Sequence, residues 1–274
     1  YKLLTDPDKY IISRLNQVIT ISDTHYENYQ FGEVSRELYN YIWDEFASWY
    51  LEIAKVQLED ESLKENTQKI LIYVLTAILK LIHPFIPFVT EELFLHITNE
   101  KTIMLSNWPV AGKINQKDID KFHIFTETIT KVRNLRNEYN VAPSKPIGIH
   151  IVTKDEEVFK MYHGLTNVLT RFLNPSSLEI EKELSASDET LLVTSEKTLI
   201  YILKADVIDK EAELEALNKQ KQTLEKELER SKRMLSNENF ISRAKPEKVQ
   251  EEKDKYEEYQ KQYEALLNEL KKYE

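Results

Sequence analysis

Apolar residues recur three and four positions apart through the first half of the chain, the repeat that places side chains on one face of a helix. Ile11, Ile12, Leu15, Val18 and Ile19 mark a first helix over about Asp8 to Tyr29. Val34, Leu38, Tyr41, Ile42, Phe46, Trp49, Tyr50 and Ile53 mark a second over about Phe31 to Leu58, and Ile70, Leu71, Val74, Leu75, Ile78 and Leu81 a third over about Ser62 to Ile82. His83-Pro84-Phe85-Ile86-Pro87 interrupts the pattern, because proline has no amide donor and disfavours αR in the residue before it. A short helix from Pro87 to about His96, a loop at Asn107-Trp108-Pro109 and a helix over about Lys117 to Tyr139, with Phe122, Phe125, Ile129, Val132 and Leu135 inward, complete this part. Helices joined by short connections predict an antiparallel bundle over 1–145.

The period then changes. Ile147, Ile149 and Ile151 alternate with Gly148 and His150, the spacing of a strand. A helix from about Glu156 to Leu173 and short strand-like runs at Ser177 to Ile180, Leu191 to Thr194 and Thr198 to Leu203 predict a small α/β module over 146–205. Beyond it, Leu214, Leu217, Lys221, Leu224, Leu228, Ser231 and Leu235 alternate three and four apart, as do Val249, Glu252, Tyr256, Tyr259, Tyr263, Leu266, Leu270 and Tyr273. Two heptad seams around one break, Ser236 to Pro246, predict an antiparallel coiled-coil hairpin over 206–274, with arms of roughly 40 Å. The fold class expected is mainly α: a helix bundle, a small α/β connecting module and a C-terminal coiled-coil hairpin.

Composition narrows the chemistry. The chain is 41% hydrophobic and 31% charged with four glycines, which supports a buried core and favours helix. It has no cysteine, so disulfides and thiolate metal sites are excluded and a reducing, cytoplasmic setting is expected. No apolar run reaches the roughly 20 residues that span a bilayer. The first residues, YKLLTDPDKY, have neither the basic nor the apolar region of a signal peptide and do not start with Met, so the chain reads as a piece of a longer protein. The net charge of −10 opposes a nucleic-acid role, but Lys219 to Lys248 holds nine Lys and Arg against five Glu, a local +4. A basic patch on an acidic body can still dock a polyanion. The six His are scattered without metal-ligand spacing, Glu91 and Glu92 point in different directions on a helix, and no glycine-rich phosphate cradle occurs. No catalytic residue and no metal ligand is picked out.

Three ordered motifs carry a family resemblance. YNYIWDEFASWYLE (Tyr39 to Glu52), LIHPFIPFVTEEL (Leu81 to Leu93) and VRNLRNE (Val132 to Glu138) with Pro143-Ser144-Lys145-Pro146 resemble the anticodon-binding domain of class I aminoacyl-tRNA synthetases for branched aliphatic amino acids. NFISRAKPEKV (Asn239 to Val249) is similar to the turn of the C-terminal arm in the valyl-tRNA synthetases. Bacterial isoleucyl enzymes typically end in a cysteine zinc site, and leucyl enzymes in a different module. The resemblance covers essentially the whole chain. It implies a valine-specific tRNA as partner, a monomer, no membrane, and catalysis by a core upstream that holds ATP and Mg, so that no cofactor belongs to this region. HIGH-like and KMSKS-like motifs do not occur; Ser231 to Ser236 is superficially like the second, but Leu235 belongs to the seam.

Under this resemblance the anticodon-binding candidates are Trp43, Arg133, Arg136, Asn137 and Asn140. Trp43 could stack on a base or pack in the bundle, whereas Trp49 and Tyr50 lie on the apolar face and are expected in the core. Arg133, Asn137 and Asn140 share a face at i, i+4 and i+7 with Arg136 beside them; they suit phosphates and base edges, or a solvated, ion-paired face. Lys226, Arg230, Lys232, Arg233, Arg243, Lys245 and Lys248 near the hairpin tip could grip the tRNA elbow, or simply solubilise a coiled coil in which Glu225, Glu227 and Glu229 interleave. The alternatives are the same region of an isoleucyl or leucyl enzyme, and a helical scaffold whose tyrosine seam binds protein partners or dimerises.

Overall fold

The computed structural model describes residues 4–183, 189–208, 210–237 and 246–270. They form two compact units, Tyr1–Leu203 and Lys204–Glu274. The first unit opens with α1 (Asp6–Glu27), started by a capping box. Thr5 Oγ1 accepts the Asp8 amide at 3.4 Å, and the Asp8 carboxylate accepts the Thr5 amide at 2.9 Å, so two otherwise unpaired donors are satisfied. Next comes one continuous rod: α2 (Phe31–Asn40), a π-helical segment (Tyr41–Tyr50) and α3 (Leu51–Leu58). The single helix expected there is present, with a widened turn inside it. Its buried residues explain the widening: Tyr41 and Phe46 both face the core, and a step of five residues keeps one face only if each turn takes in an extra residue. The Leu51 amide accordingly donates to the Phe46 carbonyl.

Helix α4 (Glu61–Ile82) begins at Asp60, whose carboxylate accepts the Ser62 amide at 2.8 Å, and α5 (Pro87–Ile97) begins with proline in its first turn. Phe94 of α5 packs with Leu79 of α4 and with Ile103. Helix α6 (Gln116–Glu138) is shared between the bundle and the α/β module. Its first half lies on α1, with Phe122 stacked on Tyr10 at 4.1 Å and Lys121 Nζ 2.8 Å from Asp6. Its second half faces the module.

The module comprises β1 (Ile147–Val152), α7 (Glu156–Gly164), α8 (Thr166–Leu173), β2 (Pro175–Glu181), β3 (Thr190–Ser195) and β4 (Thr198–Leu203). The sheet order is β2-β1-β4-β3; β1 and β2 run parallel and the other pairs antiparallel. The helix expected over Glu156 to Leu173 is divided at Leu165 (φ −113°, ψ 21°), directly after Gly164, the poorest helix former apart from proline. Tyr162 of α7 joins three elements: its buried hydroxyl lies 2.7 Å from Thr128 of α6 and 3.0 Å from Thr198 of β4.

The second unit contains α9 (Lys204–Val207), α10 (Lys210–Leu235) and α11 (Pro246–Leu270). The seam positions Leu217, Lys221, Leu224, Leu228, Ser231 and Leu235 on α10, and Val249, Glu252, Tyr256, Tyr259, Tyr263, Leu266 and Leu270 on α11, are all shielded from full exposure. Ser231 Oγ donates to Glu252 Oε1 and Tyr263 OH to Glu225 Oε1, each at 2.7 Å. As the α10 partner moves back toward the N-terminus the α11 partner moves forward, which only an antiparallel pair allows. The two arms are thus each other's partners along the seam. No described helix is long and apolar enough to cross a membrane.

Candidate nucleic-acid interface

Trp43 lies on the outer side of the π segment and is 60% exposed. Its ring stacks on that of Tyr39, also largely exposed, at 6.4 Å with 24° between planes. The segment that carries this pair is fixed from within. Glu45 accepts two hydrogen bonds from the Arg14 guanidinium, at 2.6 and 2.7 Å, and one from Tyr10 OH at 2.6 Å. Burial, and then the charge of Glu45, push the Tyr10 hydroxyl far above the usual phenol range, so it stays a donor. Burial opposes the charge on Arg14, but the hydrogen bonds and charge of Glu45 outweigh it and raise that guanidinium. Tyr50 is fully buried and donates to Asp8 Oδ1 at 2.8 Å, as expected of a core residue. Trp49 is half-buried and stacks on Phe172 of α8, at 5.7 Å and 12°.

The α6 candidates separate. Arg133 is exposed, with its guanidinium 5.7 Å from the Trp49 ring centre and 5.3 Å from that of Phe172, so two aromatic faces hold a solvent-facing cation. Arg136, three residues on, points inward and is 5% exposed. Its Nη1 donates to the carbonyls of Ala142 and Lys145 at 3.1 and 2.7 Å, and its Nη2 to those of Leu173 and Asn174 at 2.7 and 3.3 Å. Its fork is committed to the chain itself, which corrects its placement among residues facing RNA. Asn137 is exposed, one turn beyond Arg133. Asn140 lies past the helix end, with φ 54°. The Asn140 amide donates to the Asn137 carbonyl and the Val141 amide to that of Arg136, a Schellman ending in which asparagine takes the left-handed position. The shared face therefore holds for Arg133 and Asn137 and stops short of Asn140. Among the described residues, no hydrogen bond, ion pair or ring contact links Trp43 to this end of α6.

On α10, at about 100° per residue, Lys226, Arg230 and Arg233 lie on the side opposite the seam and Lys232 on its flank. With Glu229, Met234 and Asn237 the first three line a shallow groove. Arg230 pairs with Glu227 at 3.5 Å and Arg233 with Glu229 at 2.9 Å, both exposed pairs of small energetic weight. Lys226, Lys232 and Lys248 are exposed and have no ion pair among the described residues. Arg243 and Lys245 lie outside the described residues. Sequence reasoning missed Tyr39 and Phe172. Tyr39 is four residues before Trp43 on a helix, a signal that was available; nothing local marks Phe172. Among the described residues no group of three His, Asp or Glu converges as a metal site would require.

Comparison with known proteins places both parts. Residues 8–153 match the family described as anticodon-binding domain of tRNA ligase, and residues 209–274 the family described as valyl tRNA synthetase tRNA binding arm. The valine–tRNA ligase of Streptococcus mutans serotype c is 37% identical over 271 residues, 97% of this chain and 31% of that protein. That of Listeria monocytogenes serovar 1/2a is 38% identical over 260 residues, 92% of this chain and 29% of the relative. That of Streptococcus thermophilus is 39% identical over 272 residues, again 97% and 31%. The chain thus spans about 30% of the length of these curated relatives. With that anticodon-binding domain over more than half its length, and a match to the valyl-type tRNA binding arm after it, the chain belongs to the anticodon-binding family of tRNA ligases.

Proposed function

We propose that this chain is the tRNA-holding region of a valine–tRNA ligase, with valine tRNA as its partner. The observation that carries the reading is the order of the two family matches, an anticodon-binding domain followed by a valyl-type tRNA binding arm. In the bundle, the exposed Tyr39–Trp43 stack offers a face to an unpaired anticodon-loop base, and Arg133 with Asn137 offers donors to phosphate or a base edge. On the arm, the outward stripe Lys226, Arg230 and Arg233, with Lys232 and Lys248, meets phosphates of the folded RNA by charge. Each contact alone is weak; two on one ligand combine through effective concentration.

In this reading the chemistry of valine activation, with ATP and Mg, is carried by residues that the relatives have beyond the aligned third, and this region needs no cofactor. It works as a monomer in the cytoplasm. Filter binding of the chain to valine tRNA and to an anticodon-swapped version of the same transcript tests the reading. Tighter binding of the native transcript is expected; equal binding of both, or of neither, overturns it.

A further inference from the structure

Arg136 is a buried cation whose partners among the described residues are four carbonyl oxygens and no carboxylate. That is costly: a charge taken out of water is destabilising unless its hydrogen bonds are well made, and burial alone pulls this guanidinium below the usual arginine value. The carbonyls come from two places far apart in sequence, the turn after α6 (Ala142, Lys145) and the end of α8 (Leu173, Asn174). A second latch joins the same two places. Asn174, left-handed at φ 45°, donates through Nδ2 to the carbonyls of Ser144 and Pro143 at 2.9 and 3.3 Å. Next to Leu173, Phe172 stacks on Trp49 of the π segment and lies beside Arg133. The bundle and the module are therefore pinned where α6, the 142–145 turn and α8 converge, and the module's last strand continues directly into the segment that begins the arm.

We propose that Arg136 is a positioning residue for whole-tRNA binding: it touches no RNA, and by clamping the module to the bundle it lets the anticodon contact and the arm contact act on one tRNA together. The planar fork explains the residue type, since a lysine ammonium cannot reach four carbonyls on two sides. The inference rests on the tRNA-binding reading above, and its signature is a split. Loss of the clamp leaves the Tyr39–Trp43 stack in place and removes the gain from holding both contacts at once, so a stem-loop and a whole tRNA respond differently.

The experiment uses the full chain with Arg136→Lys and, as the milder change, Asn174→Gly, which keeps the left-handed backbone and deletes the second latch. Each is titrated with valine tRNA and with an isolated anticodon stem-loop. The expected result is stem-loop affinity within about twofold of the parent and whole-tRNA affinity lower by about tenfold or more. Equal losses on both RNAs, or no loss on either, overturn the proposal. A second measurement needs no RNA. The chain has no cysteine, so spin labels at Ser35→Cys in the bundle and Thr194→Cys in the module report one distance. Both variants should broaden that distance distribution, and an unchanged distribution overturns the clamp. If the parent binds neither RNA, the tRNA reading fails, and the label experiment still decides the clamp.

Discussion

Trp43→Ala distinguishes an RNA-stacking residue from a packing residue by comparing two free energies. Trp43 is 60% exposed and its only ring partner among the described residues is Tyr39. An aromatic pair is worth about 0.5–1.5 kcal/mol, and this one is open to water, so the loss of folding stability should stay below about 1 kcal/mol. A base stacked on the ring would contribute about 1–3 kcal/mol, equivalent to a roughly 5- to 150-fold change in Kd. The assay is titration of an anticodon stem-loop at fixed salt, with urea unfolding of the same samples. Trp49→Ala is the contrast. Trp49 is half-buried against Phe172 and under Arg133, so its removal should cost about 2 kcal/mol or more of stability. Binding by Trp43→Ala within about twofold of the parent, with stability also unchanged, would refute the stacking role.

Three further outcomes follow from the geometry. Changing Lys226, Arg230 and Arg233 together to Gln should flatten the dependence of log K on log salt by about 0.7–0.9 for each phosphate that is no longer neutralised, read from tRNA titrations across a salt series; an unchanged slope excludes the stripe. Ser231→Ala leaves the Glu252 carboxylate without its seam partner and should cost about 1–3 kcal/mol, whereas Ser231→Leu with Glu252→Leu should melt higher than the parent, because well-packed apolar residues commonly outdo a shielded polar pair; a lower melting double variant refutes this. Asp155 caps α7 through the Glu157 and Val158 amides at 3.0 and 3.2 Å and meets Lys197 Nζ at 2.9 Å. Lys197 first, and the amides after it, hold its carboxyl below the usual aspartate range. A depressed folded pKa means stability that is present at neutral pH and lost as pH falls through that value. Asp155→Asn, which keeps a capping oxygen without the charge, should therefore lose less stability than the parent between about pH 7 and pH 3, measured by urea unfolding. Parallel acid limbs would count against it.

Much of the fold was legible because its signals are local and repeated. The antiparallel pair of arms needed only the alternation of three and four: the seam positions of α10 from Leu217 on, and those of α11, are shielded, and Ser231 meets Glu252 across them, because a stripe of that period must be covered. Thr198 to Leu203 reads as a strand from its own residues and is one. The π segment was not legible in the same way. Its cause is a pair of large residues, Tyr41 and Phe46, both claimed by the core, and the run of apolar positions does not say which of Ile42, Phe46 and Trp49 the neighbouring helices will select. The break at Leu165 has a visible cause in Gly164, but glycine inside a helical pattern is often tolerated, so the residue alone does not settle where a helix ends.

The candidate site was less legible, and Arg133 and Arg136 show why. They are the same residue type on the same helix, three positions apart, where spacing makes them neighbours. One holds its guanidinium at the surface against Trp49 and Phe172; the other buries it among carbonyls at positions 142, 145, 173 and 174. What separates them is the arrival of α8, an element more than 30 residues later in the chain, whose end supplies oxygens to one arginine and an aromatic face to the other. Residue type states what a side chain can bind; which partner it receives is decided by long-range packing. A polar residue beside an apolar helix face is therefore ambiguous until the element that covers that face is known. Trp43 escapes the ambiguity for the converse reason: among the described residues no other element supplies its ring with a partner, and Tyr39, one turn away on its own helix, is the neighbour it keeps.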